Sequence, residues 1–201
     1  MGKSAALPNI QNIVAKNHDV GLRKLGPTYG VSGFPVRHYL ASLRYDSALT
    51  ALGADQDLQT LSLYALKPYT WGKSTLIPRV RLAGTLNGNP GPQNLFLLGG
   101  FLNLSGYQIG QISGQYVAFG ELIYLYRLDD ASAAFTIPLY AGGSLEVGGA
   151  WNDLDDVTFD SLIPAGSLFV GADTPLGPLY LGAGVSDDSN ASLYLMLGKL
   201  F

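Results

Sequence analysis

From residue 34 onward, apolar-rich segments of about 10 to 15 residues alternate with short stretches of Gly, Pro, Asn and Asp, the rhythm expected of membrane-type strands. In the first and third segments apolar and polar residues alternate with a period of two, which gives a greasy and a polar face, while the carboxyl-terminal half carries apolar residues on both faces. The pattern predicts eight strands, over 35–46, 57–70, 74–86, 115–128, 136–151, 160–173, 177–186 and 191–201. In the first, Tyr39, Ala41, Leu43 and Tyr45 alternate with His38, Ser42, Arg44 and Asp46, and in the third Leu76, Val80 and Leu82 oppose Arg79 and Arg81. Pro-Leu-Gly-Pro after Thr174 and Asp-Ser-Asn after Ser186 supply tight turns.

The last strand differs. Leu193, Leu195, Leu197 and Phe201 share one face, and Tyr194, Met196 and Leu200 share the other. A strand apolar on both faces is buried or meets lipid, and bacterial outer-membrane barrels end in strands of this kind. Residues 1–33 read as an amino-terminal extension, with a short amphipathic helix over 9–16 from Ile10, Ile13 and Val14, then a Gly/Pro-rich connector. They contain no apolar core of a signal peptide, so the segment reads as the start of a mature domain. The barrel domain is expected over 34–201. A long connection at about 87–114 breaks the rhythm, and an ordered loop of that length is usually functional.

Composition supports strands in lipid. Of 201 residues, 47% are hydrophobic and only 13% charged, against about 25% charged in ordinary soluble domains. No run reaches the roughly 20 apolar residues of a membrane helix. The fold class expected is therefore all-β, a transmembrane antiparallel β-barrel with eight strands per chain. A net charge of −3 gives no footprint for nucleic acid, and the absence of cysteine excludes disulfides and thiolate metal sites.

Little here suggests catalysis. No Gly-x-Ser-x-Gly elbow occurs, and Gly72-Lys-Ser74 has Lys67 where a phosphate loop needs its first glycine. The only imidazoles are His18 and His38, and His38 lies about 13 Å from Ser42 at 3.3 Å per strand residue. Asp129, Asp130, Asp153, Asp155 and Asp156 read as solvated loop charges, and no metal or cofactor set stands out. Arg79, Arg81, Glu121, Arg127 and Glu146 fall on inward faces of three sequential strands, which predicts an ion-pair network in the lumen that anchors the long loop. Phe119, Ile123, Phe169 and Met196 also fall on inward faces, where they either pack against the loop or contact lipid.

Residues 99–111, Gly-Gly-Phe-Leu-Asn-Leu-Ser-Gly-Tyr-Gln-Ile-Gly-Gln, resemble the lumen loop of the Omp85 superfamily, most closely the form in barrels attached to bacterial patatin-like phospholipases. The family tip, Val/Ile-Arg-Gly-Phe/Tyr, aligns with Leu104, Ser105, Gly106 and Tyr107. Ser105 replaces the family arginine, so the salt bridge of that arginine does not carry over. The resemblance implies the carboxyl-terminal half of a sixteen-stranded barrel, without POTRA or patatin domains, located in the bacterial outer membrane. It implies a non-enzymatic role in outer-membrane biogenesis, inserting a protein client or handling lipid at a strand seam. A small outer-membrane lipid-modifying enzyme and a passive barrel or pore are the alternatives. The expected partners are outer-membrane lipid, a protein client and a second copy, joined through residues 36–45 of one chain and 193–201 of the other to complete a larger barrel; closure of a single chain on itself as a small barrel is the alternative.

Overall fold

A computed structural model describes residues 18–25, 39–52, 56–128, 137–187 and 190–198. The helix expected over 9–16, His38, Asp129, Asp130, Leu200 and Phe201 lie outside them. The described residues form twelve strands: β1 (His18–Leu25), β2 (Leu40–Ala48), β3 (Leu58–Leu66), β4 (Tyr69–Trp71), β5 (Ser74–Asn87), β6 (Phe96–Leu98), β7 (Ile112–Gly114), β8 (Tyr116–Arg127), β9 (Leu139–Trp151), β10 (Ile163–Thr174), β11 (Gly177–Ser186) and β12 (Ala191–Leu197). There is no α-helix among them.

One antiparallel sheet runs β1-β2-β3-β5-β8-β9-β10-β11-β12, with β4 folded back on β5. Two expectations are corrected here. The path has nine strands rather than eight, because β1 lies within the segment expected as an extension and pairs with β2 along its length. The sheet is also open: among the described residues, β1 and β12 are its two ends and do not pair. The strand expected over 57–70 stops at Leu66 because Pro68 has no N–H for the ladder; the Lys67 N–H makes the last bond, 3.2 Å to the Pro78 carbonyl.

Register sorts the side chains into two unlike faces. Leu40, Leu66, Arg79, Glu121, Glu146, Ala165 and Ser186 form one continuous row on the inner face, the face that the 88–115 connection covers. Every charged residue of β2 to β12 lies on that inner face: Arg44, Asp46, Arg79, Arg81, Glu121, Arg127, Glu146 and Asp173. The outer face of these strands carries none. Its middle is aliphatic and solvent-accessible, with Leu168 75%, Leu145 71% and Leu193 85% exposed. Tyr39, Tyr69, Trp71, Tyr124 and Tyr126 lie toward one rim, and Tyr45, Tyr116 and Trp151 toward the other. From Tyr116 to Tyr124 the strand covers about 26 Å at 3.3 Å per residue.

The core lies between the inner face and the long connection. Phe101 and Leu102 of the connection pack with Leu66, Ile77, Ile123, Leu125, Tyr140, Phe169 and Tyr180. Residues from β3 through β11 thus share one cluster around two loop residues, which requires the sheet to curl around the loop.

Candidate functional site

The 88–115 connection is a hairpin stem, β6 paired with β7, that ends in a compact tip over 99–111. The backbone turns sharply there. Leu102 and Leu104 have φ of 55° and 74°, which cost non-glycine residues on the order of 1–3 kcal/mol each and persist only where the surroundings enforce them. Both side chains are buried, at 1% and 0% exposure, so apolar burial holds the strained turn in place.

The tip is fixed to the wall by one carboxylate. Glu146 Oε2 accepts the Leu104 and Ser105 N–H groups, each at 2.7 Å, and Oε1 accepts the Ser105 hydroxyl at 2.7 Å and the Ser144 hydroxyl at 2.5 Å. Ser144 also meets the Ser167 hydroxyl at 2.7 Å. Hydrogen bonds to an ionised carboxylate are about twice as strong as neutral ones, and all of these are buried. On the other side, Tyr194 Oη accepts the Gly106 N–H at 2.9 Å and donates to the Tyr107 carbonyl at 3.1 Å, while the Ser192 hydroxyl donates to the Gly106 carbonyl at 2.8 Å. Gly106 has φ +103°, and a Cβ there would stand 2.7 Å from the Asn190 carbonyl oxygen and the Ser186 nitrogen. At Gly184 a Cβ would stand 2.5 Å from the Ser105 Cβ. Tip and wall therefore meet at backbone contact, which only glycine at these two positions permits.

Arg79 and Glu121 form a second buried link. Arg79 Nη2 lies 2.7 Å from Glu121 Oε2, donates to the Leu102 carbonyl and places its guanidinium carbon 5.4 Å from the centre of the Phe119 ring. The approach to Glu121 is ionic without hydrogen-bond alignment, and Glu121 Oε1 has no hydrogen-bond partner. Arg81 Nη1 donates to the Leu97 carbonyl at 3.1 Å, on the loop stem. Glu121 and Glu146 are direct cross-strand neighbours, so two cations and two carboxylates face the loop together.

The structure thus brings Leu104, Ser105, Gly106 and Tyr107 together with Glu146, and Arg79, Arg81 and Glu121 with the loop upstream of the tip. It does not bring Arg127 to them: that residue is exposed at the end of β8, beside Tyr140. Of the two alternatives for the inward apolar positions, loop packing or lipid contact, the structure shows packing. Phe119, Ile123 and Phe169 are buried at 2%, 0% and 5% exposure, and Met196 packs against the same core. The loop covers them: Phe101 stacks edge-on against Phe169 at 5.3 Å and lies 5.2 Å from the Tyr194 ring. Leu193, Leu195 and Leu197 lie on the outer face of the edge strand β12.

Ser144, Ser167, Ser192 and Tyr194 were missed as loop anchors. The signal was a hydroxyl at an inward position of a strand otherwise filled with Gly and apolar residues, as at Ser144 in Ala-Gly-Gly-Ser-Leu. The sequence matches no protein-family model and aligns with no curated protein.

Proposed function

We propose that the chain is a non-enzymatic wall segment of a bacterial outer-membrane β-barrel, related to the Omp85 superfamily, and that it serves outer-membrane biogenesis at a strand seam. The charge sorting carries this placement, since across β2 to β12 all eight charges lie on the inner face and none on the outer, a boundary condition that lipid imposes and water does not. Aromatic residues flanking an aliphatic band agree with it. So does the outer face's continuous run of exposed Leu and Val, which a monomer in water rarely presents.

The inner-face loop supports the family relation. A tip reading Leu104-Ser105-Gly106-Tyr107 docks on the wall at Glu146, with two backbone N–H groups and one hydroxyl taking the place of the family's arginine. Ser105 in the tip and Ser144 and Ser167 on the wall beneath it are the serines nearest a carboxylate in this site, and all three are buried. Glu146 is already saturated with donors, so it is poorly placed to activate a nucleophile for an outside substrate. This supports a non-enzymatic role, with lipid or a protein client handled at the open edge.

Leu168→Arg tests the placement. At a site 75% exposed to water the change should alter stability by under about 0.5 kcal/mol, whereas in the middle of a bilayer it should cost about 2–4 kcal/mol. Urea unfolding in lipid vesicles measures the difference, and a neutral result would remove the membrane assignment.

A further inference from the structure

We propose that the outer face of β2, β3 and β5 holds one anionic glycerophospholipid, its phosphate on Lys67 and an acyl chain in the adjoining groove. This rests on the membrane placement above and adds a specific site to it. The groove has a volume of about 500 Å3 and is lined by Tyr39, Ala41, Ala65, Lys67, Pro78 and Val80, among others. Ala41, Ala65 and Val80 are cross-strand neighbours, so two methyl side chains floor it beside the taller row Leu43, Leu63 and Leu82.

Lys67 supplies the polar end. It is exposed at the aromatic rim, and its position continues the outer face of β3 beyond Ala65. Nζ lies 5.0 Å from the centre of the Tyr69 ring, and Lys67 makes no ion pair among the described residues. The register of β1 also brings Lys24 opposite Ala41 in the groove's own row. A cation beside an apolar trough, on a face without carboxylates in β2 to β12, complements one phosphate followed by hydrocarbon. One lysine and one trough match a single phosphate and a single chain; a glycolipid with several phosphates and many chains would leave most of its groups unmatched.

The experiment is native mass spectrometry of the full chain in neutral detergent, with phosphatidylglycerol or phosphatidylcholine of identical acyl chains. The wild-type protein should retain phosphatidylglycerol about fivefold better, the effect of about one lysine at an anionic surface. Lys67→Gln should bring the ratio near one, and Lys67→Arg should keep it. Ala65→Phe should lower retention of both lipids by filling the groove, and Ala41→Leu serves the same purpose if that variant misfolds. An unchanged ratio in Lys67→Gln, retention untouched by the groove variants, or displacement of phosphatidylglycerol by equimolar lipid A would overturn the site. A wild-type protein that needs detergent yet holds both lipids alike sinks this site alone, whereas one that is monodisperse without detergent sinks the membrane placement too.

Discussion

Glu146 concentrates four donors on one buried carboxylate, two from backbone and two from hydroxyls, and this decides what its neighbours can be. A glutamine of the same shape would either aim its NH2 at the two backbone N–H groups, which can only donate, or turn it to the two hydroxyls, which would have to reverse and accept, and it would lose the charge in both cases. Glu146→Gln should therefore cost about 2–3 kcal/mol, and Ser105→Ala, which removes one charge-assisted bond, about 1.5–3 kcal/mol. Denaturant unfolding in detergent micelles measures both, and a Glu146→Gln protein as stable as wild type would show that the carboxylate does not hold the tip. The sequence announced Ser105 through the tip motif and Glu146 through its inward position. Their pairing was not legible, because it depends on which rows of β9, β11 and β12 face the loop, and register between strands has no signature within any one strand. Arg127 shows the same gap: its parity is inward, but it lies at the strand end, beyond the loop's reach.

At the level of elements, strand and loop are shaped to each other. The wall recedes to backbone at Gly184, the tip does so at Gly106, and Phe101, Leu102 and Leu104 fill the space between the walls. The loop should behave as a fixed plug. In the cysteine-free background, Ile109→Cys, at a position 81% exposed, should react readily with a membrane-impermeant maleimide, while Leu104→Cys, fully buried, should not react until unfolding. Adding Gly184→Ala to Leu104→Cys should open the tip and raise its labelling at least tenfold, since the new methyl overlaps Ser105; equal protection in the double variant would mean that the loop is held elsewhere. Seven of the eight expected main strands were legible as single elements because the outer face is uniformly uncharged and apolar-rich while the inner face carries the charges and most of the hydroxyls, a difference that marks the two-residue period between clear turn residues. β1 was not, since Gly21 and the charges Asp19, Arg23 and Lys24 blur the alternation in a short segment. The break after Leu66 had a visible cause in Pro68, which the periodicity overrode.

At the scale of the molecule, the number of strands decides how the sheet can close. An open edge in hydrocarbon leaves unpaired N–H and C=O groups at several kcal/mol each, so β1 and β12 need partners in a membrane. In an up-and-down path of nine strands the first and last run in the same direction, so β1 and β12 are parallel, whereas the eight strands expected from sequence would have set antiparallel edges. Two copies related by an axis along the barrel would form an eighteen-stranded ring with two parallel seams, wide enough for both loops, and we favour that assembly as the route to closure. Cysteines distinguish the alternatives. With one cysteine at 20, 22 or 24 and another at 193, 195 or 197, disulfides in membranes should link two chains, and the partner position should rise in number as the β1 position rises. If β1 instead peels away and β2 becomes the edge, cysteines at 41, 43 and 45 should link to β12 of the other copy in falling order, the mark of an antiparallel seam of sixteen strands. Links that form only within one chain, together with a monomer mass in native mass spectrometry, would exclude both rings.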